Sequence, residues 1–169
     1  MNDDQLEEWY RLYSQDVYNF LVYYNKSTDV DDLLQDVFVK AWKRKETFKY
    51  DSSPKTWLFT IARRVSLDYH RKNKWKQWMT FQKEPVDSSD PARRMMVEER
   101  NTQLYKQINR LKRNYREVIL LRGVMELSTE ETAKILHCTH SKVDTTFYRA
   151  KKKLRQYLEA EGRDAYHVL

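Results

Sequence analysis

The chain has 169 residues and a net charge of +7, with only two glycines and three prolines. So few turn-forming residues cannot supply the many tight corners of a sheet-rich fold, and they predict an all-α protein. Hydrophobic residues make up 40% of the chain and include five Trp, twelve Tyr and six Phe, which argues against disorder and predicts a packed core.

We expect no export of this chain. Its single cysteine, Cys138, cannot form an internal disulfide, which fits a reducing compartment. No apolar run approaches the roughly 18 residues that a membrane span needs. Residues 1–4 are acidic where a signal peptide is basic. We therefore expect a cytoplasmic protein.

Charge is unevenly distributed along the chain. Residues 1–36 carry −7, residues 37–80 carry +9, residues 81–110 carry +1 and residues 111–169 carry +4. This distribution favours one surface for a basic partner and two surfaces for a polyanion, although solvated helix faces without a partner would give the same pattern.

Two amphipathic helices are predicted in the first 44 residues. The first has an apolar stripe at helical spacing, formed by Trp9, Leu12, Tyr13, Val17, Phe20, Leu21 and Tyr24. The second is predicted over 29–44, with Thr28 as its N-cap and acidic residues in its first turn, where they complement the helix dipole. Its apolar residues are Leu33, Leu34, Val37, Phe38, Ala41 and Trp42.

A third helix is predicted to begin at Pro54, after the N-cap Ser53. Its buried stripe is predicted to comprise Trp57, Leu58, Ile61, Ala62, Val65 and Tyr69. The remaining face carries Lys55, Phe59, Arg63, Arg64, Asp68 and Arg71. Such a face suits single-stranded DNA, because bases stack on aromatic or guanidinium planes while cations follow the phosphates. A solvated helix face is the alternative.

A break in the helical pattern follows. Residues 80–92 contain two prolines and two serines and show no apolar period, which predicts a flexible linker. We therefore predict two small helical domains, 1–79 and 93–169, with different sequences and different roles.

Four helices are predicted in the second domain. The first three are predicted over 93–110, 115–122 and 129–136. The third begins at a capping box, in which Ser128 and Glu131 each accept a hydrogen bond from the other's backbone amide. A short break over 137–140 precedes a longer helix, so the last two helices have the dimensions of a helix-turn-helix.

The last helix of such a motif enters the major groove and presents its N-terminal side chains to base edges. Residues 139–155 carry six cations and one anion. The cations suited to phosphate contacts are Lys142, Arg149, Lys151, Lys152, Lys153 and Arg155. The side chains able to read bases are Ser141, Thr145, Thr146 and Tyr148. A helical hairpin with a basic face is the alternative.

The sequence gives little evidence of catalytic or metal-binding motifs. His137, Cys138 and His140 are close in sequence, but a zinc site needs about four ligands, and the other histidines lie far along the chain. The sequence contains no GxxxxGK[ST] loop, nucleophile elbow or HExxH helix. We expect no metal, no cofactor and no catalytic site.

Three segments together resemble a known family. Residues 31–42 read DDLLQDVFVKAW, residues 56–64 read TWLFTIARR and are followed by Asp68 and Arg71, and residues 116–154 contain the helix-turn-helix. In this order, the segments resemble the polymerase-binding helix, the promoter-melting helix and the C-terminal helix-turn-helix of the extracytoplasmic-function (ECF) sigma factors of bacterial RNA polymerase. These are the smallest members of the sigma-70 superfamily.

The resemblance implies a non-enzymatic subunit that brings bacterial RNA polymerase to promoter DNA. The first domain would bind the β and β′ subunits of the core polymerase through Asp32, Leu33, Gln35, Asp36 and Phe38. It would open the minus-ten element with Lys55, Phe59, Arg63, Arg64, Asp68 and Arg71. The second domain would read the minus-thirty-five element with Ser141, Lys142, Thr145, Thr146, Tyr148, Arg149 and Lys152. The free chain would be a monomer, and a membrane-anchored anti-sigma factor would bind it.

The sequence departs from the family pattern at three places. The usual Leu-Pro before the second domain is Leu111-Lys112 here, and Arg64 stands where the family usually has asparagine. The usual basic-Ser-Arg triplet of the last helix is Asp144-Thr145-Thr146. Together with Ser141-Lys142-Val143, this segment resembles the sigma-X type within the family.

Two other functions stay open at this point. A stand-alone helix-turn-helix regulator, which usually dimerises on two half-sites, would use the same C-terminal motif. An RNA-binding protein would use the same basic and aromatic residues.

Overall fold

The computed structural model describes residues 3–80 and 99–161, and the regular structure of these residues is entirely helical. The chain forms two compact units, Met1–Asp90 and Pro91–Leu169. The prediction of an all-α protein with two helical regions is therefore confirmed. Most of the predicted linker lies outside the described residues, so the boundaries at 79 and 93 stay predictions.

The first unit contains three α-helices and one short 3₁₀-helix. Their bounds are α1 (Asp3–Asn25), α2 (Asp31–Lys43), the 3₁₀-helix (Lys45–Thr47) and α3 (Pro54–Thr80). The helices bury one face each against the other two, with Val17, Phe20, Leu21, Val37, Ala41, Leu58 and Ala62 in the core. The side-chain amide of Asn25 donates a hydrogen bond of 2.9 Å to the Ser66 hydroxyl, which joins the end of α1 to the middle of α3.

The start of α3 agrees with the prediction, whereas the start of α2 does not. The Ser53 hydroxyl accepts a hydrogen bond of 3.1 Å from the Thr56 amide, as an N-cap does. α2 begins at Asp31, and Thr28 does not cap it. The reason is that Val30 is buried and the Asp29 amide donates to the Ser27 hydroxyl, so the residues before Asp31 form a turn rather than helix.

Phe59 lies in the core, and the prediction that it belongs to an exposed face of α3 is wrong. Its side chain is 0% exposed, and its ring packs edge-on against Phe20 of α1 with 5.2 Å between the centroids. An α-helix turns by about 100° per residue, so Phe59 and Arg64 lie roughly 140° apart around α3. When one of these residues faces the core, the other faces solvent. Tyr69, which was predicted to be buried, is exposed.

The second unit contains four α-helices and one segment of π-helix. Their bounds are α4 (Glu99–Arg110), α5 (Arg113–Val118), the π-helix (Ile119–Val124), α6 (Thr129–Leu136) and α7 (His140–Glu159). α4 is described from Glu99 onward, so the predicted start at 93 lies outside the described residues. The prediction of one α-helix over 115–122 is wrong, because the chain changes to π-helix after Val118.

The change to π-helix falls in a buried segment. Four successive side chains, Val118 to Leu121, are buried, as in a helix that is surrounded by others. In the wider π turn, the Met125 amide donates to the Leu120 carbonyl five residues earlier, at 2.8 Å. The π-helical segment contacts both α6 and α7.

The helix-turn-helix is held by local hydrogen bonds. The capping box at the start of α6 is present, with the Glu131 amide 3.1 Å from the Ser128 hydroxyl and the Ser128 amide 2.9 Å from the Glu131 carboxylate. His137 then takes a left-handed conformation with φ of 53°, and the Thr139 hydroxyl caps α7 by accepting from the Lys142 amide. The predicted motif is therefore confirmed, with α7 beginning one residue earlier than expected, at His140.

One ion pair supports α6 from the solvent side. Lys134 lies 2.9 Å from Glu130, one turn away. The hydrogen bond and the positive charge of Lys134 lower the pKa of the Glu130 carboxyl. Because both side chains are exposed, salt screens this pair, and its effect on stability is small.

The burial of Phe59 leads to a first prediction. The substitution Phe59→Ala should lower the free energy of unfolding of the first unit by about 3–5 kcal/mol, because it leaves a cavity between α1 and α3. Denaturant unfolding of the purified chain measures this. The matched control is Trp75→Ala on the same helix, where a side chain that is 62% exposed should change stability by about 0.5 kcal/mol or less. Equal effects of the two substitutions would contradict the core position of Phe59.

Candidate functional site

A groove on the first unit lies between α1 and α2. Its floor is the ring of Phe38, which is 8% exposed and packs against Tyr10 with 4.7 Å between the centroids. The residues that line it are Tyr10, Asp31, Asp32, Leu34, Gln35, Phe38, Val39 and Trp42. The groove thus combines an apolar floor with two carboxylates at one end.

The five residues predicted to bind the core polymerase are all on α2, but they do not form one surface. Asp32 and Gln35 are exposed and line the groove, together with Phe38. Asp36 is exposed one turn after Asp32 and is not a lining residue. Leu33 is half-buried, so it contributes more to the packing of α2 than to the surface.

Five groove residues were missing from the predicted site, namely Tyr10, Asp31, Leu34, Val39 and Trp42. Tyr10, Val39 and Trp42 are exposed hydrophobic side chains, and Trp42, at 50% exposed, lies under the ammonium of Lys45 at 5.4 Å from the ring centroid. Trp42 and Val39 share a helix face with Gln35 at spacings that the sequence displays. Tyr10 comes from another helix, and no spacing within α2 could have indicated it.

α3 presents a second surface. Arg64, Asp68 and Arg71 follow one another at i, i+4 and i+7 on one face, and Trp75 continues this face at i+11. Arg64, Arg71 and Trp75 are exposed, and the Arg71 guanidinium donates to the Asp68 carboxylate at 3.0 Å. This stripe of cations ends in a large aromatic side chain, and Trp75 was not among the predicted site residues.

The other three residues predicted for the minus-ten contact lie elsewhere on α3. Phe59 is in the core. Lys55 is half-buried and forms an ion pair of 2.8 Å with Asp16 of α1. Arg63 is half-buried on the side of the helix that carries Phe59. The structure therefore brings together three of the six predicted residues and separates them from the rest.

α7 presents a third surface. Ser141, Thr145, Tyr148 and Lys152 lie on one exposed stripe at i, i+4, i+7 and i+11, which spans about 16 Å along the helix axis. Tyr148 is the most prominent of them, at 71% exposed. Lys142 and Arg149 are exposed beside the stripe. Of the seven predicted residues, only Thr146 turns away, since it is half-buried at the edge of the core face.

The cations of α7 have different surroundings. Lys151 lies 5.4 Å from the ring centroid of Phe147, and Lys153 lies 5.0 Å from that of Tyr157. Cation–π contacts of this kind hold a side chain against its own helix and reduce its reach. Lys142, Arg149, Lys152 and Arg155 are exposed side chains on or beside the outer face. These four are better placed to reach phosphates.

The turn between α6 and α7 contains His137, Cys138 and His140. Cys138 is half-buried and packs against a cluster formed by Val118, Ala133 and Val143. In the described part of the chain, no group of three His, Cys, Asp or Glu side chains could hold a metal ion. None of the helices in that part is long and apolar enough to cross a membrane.

Comparison with solved structures identifies the fold. The sigma factor RpoE of Bartonella quintana, solved in complex with the anti-sigma factor NepR, superimposes with a TM-score of 0.75 at 24% identity, covering 92% of this chain and 97% of that one. CnrH, solved in complex with the cytosolic domain of CnrY, gives a TM-score of 0.72 at 24% identity, covering 94% and 90%. At this identity, the likeness shows the fold.

Sequence comparison identifies the family. The chain is 36% identical over 158 residues to the ECF RNA polymerase sigma factor SigX of Bacillus subtilis, covering 89% of this chain and 81% of the relative. It is 32% identical over 158 residues to the RNA polymerase sigma factor YlaC of the same organism, covering 90% and 91%. The family model of sigma-70 region 2 matches residues 9–76, and that of sigma-70 region 4 matches residues 101–154. The chain therefore belongs to the ECF sigma factors of the sigma-70 family, as its three sequence segments predicted.

Proposed function

We propose that this protein directs bacterial RNA polymerase to specific promoters in the cytoplasm and performs no chemistry itself. In this proposal, the groove between α1 and α2 binds the core enzyme, the exposed stripe of α3 opens the minus-ten element, and the outer face of α7 reads the minus-thirty-five element. The observation that carries the proposal is the groove. A stand-alone DNA-binding regulator has no need of a second, acidic and apolar surface on a separate unit.

The groove suits a helical or loop segment of a larger partner. Exposed apolar patches with a polar rim mark interaction sites, and Trp and Tyr contribute more binding energy than most residues at such sites. Tyr10 and Trp42 line the groove together with the buried Phe38, and Asp31 and Asp32 add negative charge at one end. A segment with apolar side chains and neighbouring cations, supplied by the β and β′ subunits, would be complementary to this surface.

The stripe on α3 suits a melted DNA strand. Stacking of bases on aromatic or guanidinium planes tolerates any sequence, while cations follow the phosphates. Arg64 and Arg71 supply guanidinium planes, and Trp75 supplies an exposed indole. Phe59 cannot stack on a base from the core, so we assign the aromatic role to Trp75 instead.

α7 suits the major groove of duplex DNA. The N-terminal part of a recognition helix contacts base edges, and the cations that flank it contact phosphates. Ser141, Thr145 and Tyr148 occupy the outer stripe of that part of α7, and Arg149 stands beside them. Arginine that donates to the O6 and N7 atoms of guanine is the commonest specific contact in the major groove. We assign base reading to these residues and phosphate binding to Lys142, Lys152 and Arg155.

Regulation by an inhibitor protein completes the proposal. RpoE of Bartonella quintana was solved in complex with the anti-sigma factor NepR, and CnrH was solved in complex with the cytosolic domain of CnrY. We propose that an anti-sigma factor anchored in the membrane binds this chain, which is otherwise a monomer. The sequence of the helix after the turn, together with 36% identity to SigX, supports a promoter preference of the sigma-X type.

The groove leads to a prediction on polymerase binding. Trp42→Ala should weaken the complex with core RNA polymerase by about 2 kcal/mol or more, because a large aromatic side chain that lines the groove is lost. The double substitution Asp32→Ala and Asp36→Ala should also weaken this complex, because it removes one negative charge that lines the groove and one that lies a helical turn farther along α2, beside the groove. Titration of labelled protein with purified core enzyme measures both affinities.

The matched control for these substitutions is Glu8→Ala. Glu8 is exposed on α1, but it lies about 160° around that helix from Tyr10, so this substitution removes one negative charge outside the groove. The affinity of the Glu8→Ala variant for core polymerase should equal that of the unchanged protein. Full affinity of the Trp42 and Asp32/Asp36 variants would refute the assignment of the groove.

The outer face of α7 leads to a prediction on promoter recognition. Arg149→Ala should weaken binding of the holoenzyme to its promoter by about 1–3 kcal/mol and relax the base preference at one position. Lys153→Ala, whose ammonium lies over Tyr157, should leave all base preferences unchanged. Binding to duplexes with single substitutions in the minus-thirty-five element, at one fixed salt concentration, measures both. An equal loss on every sequence would make Arg149 a phosphate contact.

A further inference from the structure

One carboxylate stands among the cations of α7. Asp144 is the one acidic residue between positions 139 and 155, and its side chain is exposed. A negative charge at this place repels the phosphates of an approaching duplex, so it lowers affinity for every sequence unless it contacts a donor. Its presence in a DNA-binding face therefore calls for a specific role.

Asp144 is held in place by the preceding helix. The Thr129 hydroxyl donates to the Asp144 carboxylate at 2.9 Å, across 15 residues of sequence. Thr129 is the first residue of α6, where the capping box fixes the backbone, and its β-branched side chain has few rotamers. A carboxylate offers about four lone-pair sites, and this bond occupies one of them. The carboxylate is thus oriented before DNA arrives and keeps acceptor capacity.

The position of Asp144 on α7 is one that meets base edges. It is the fifth residue of the helix and lies one turn before Tyr148. It closes the N-terminal end of a shallow groove along α7, whose other lining residues are Phe147, Tyr148, Lys151, Lys152 and Arg155. The N-terminal residues of a recognition helix contact base edges, so a duplex docked in this way would bring its bases to Asp144 and its backbone to Arg155, at the other end of the groove.

The four bases offer different partners to a carboxylate. In the major groove, cytosine presents its N4 amine, which donates a hydrogen bond, whereas guanine presents two acceptors and thymine one acceptor and a methyl group. Adenine presents an amine directly beside the N7 acceptor, which repels a carboxylate. Cytosine is therefore the base that Asp144 favours.

We propose that Asp144, positioned by Thr129, reads the N4 amine of a cytosine in the minus-thirty-five element. This role rests on the proposed function of α7 and adds a base-specific acceptor to the donors already assigned there. Thr129 acts as a positioning residue, because it contacts Asp144 and not the base.

The test uses the holoenzyme, assembled from core polymerase and the full chain, and a duplex promoter library randomised across the minus-thirty-five element. The unchanged protein should enrich cytosine at one position of the strand that faces α7. Asp144→Asn should reduce the preference for cytosine there by about 5- to 100-fold and favour adenine, which pairs with asparagine through N6 and N7. Preferences at the other positions should be unchanged.

Three further variants separate base reading from charge and from packing. Glu159→Gln removes one negative charge from the same helix about 22 Å away, and it should leave every preference unchanged. Thr129→Val, which lacks the hydroxyl, should weaken the preference for cytosine at the same single position, and Thr129→Ser should restore it. Thermal unfolding of each variant shows how much the hydrogen bond between Thr129 and Asp144 stabilises the packing of α6 against α7.

Distinct results overturn the proposal. If Asp144→Asn raises affinity equally for all sequences, the carboxylate only repels phosphate. If Thr129→Val lowers the unfolding temperature while the enriched motif stays the same for every variant, the bond only joins the two helices. In both cases the unchanged protein still enriches a minus-thirty-five motif, and the proposed function stands. If the unchanged protein enriches no motif at all, the proposed function fails together with this inference.

Discussion

The contact between Phe20 of α1 and Phe59 of α3 determines which face of α3 reaches solvent. Both rings are fully buried, and their removal from water stabilises the packing of α1 against α3. Once Phe59 points inward, the rotation of an α-helix places Arg64, Asp68 and Arg71 outward. The same core holds α2 through Val37 and Ala41, which leaves its other side, with Gln35, Val39 and Trp42, as one wall of the groove. Packing in this unit therefore sets the position of two surfaces at once.

In the second unit the corresponding constraint is the short turn between α6 and α7. The capping box defines where α6 begins, and the left-handed His137 and the Thr139 cap define where it stops and α7 starts. Val143 and Ala150, both fully buried, then fix the rotation of α7. Because these contacts are local, the stripe from Ser141 to Lys152 is oriented by residues within about two helical turns of it. The face that we assign to DNA is thus oriented by the fold before binding, which favours specificity over adaptability.

Much of this architecture could be predicted from spacing and capping residues, and the errors have a common cause. Pro54, Ser128 and the break after Leu136 mark helix ends through local chemistry, and these predictions were right. Phe59 was placed on the wrong side because α3 contacts both α1 and α2, so its buried sector is wide and its apolar period is ambiguous. Tyr69 lies on the same side of α3 as Leu58 and Ala62 but is exposed, which helical spacing does not indicate. Tyr10 in the groove and Thr129 beside Asp144 depend on contacts between helices. No pattern within one helix carries that information, so the groove and the positioned carboxylate required the folded chain.

The two carboxylate positions that we assign to binding differ in what they do for the fold. Asp31 and Asp32 lie in the first turn of α2, where the helix dipole favours negative charge by about 0.3–1 kcal/mol per residue, so the acidic end of the groove also stabilises its own helix. Asp144 lies beyond the first turn of α7, where the dipole adds little, and it interrupts a basic face. Helix stability thus explains why acidic residues stand at positions 31 and 32, but it does not explain why one stands at position 144. What accounts for Asp144 is its contact with Thr129 on one side and, in the complex that we propose, with the amine of a base on the other.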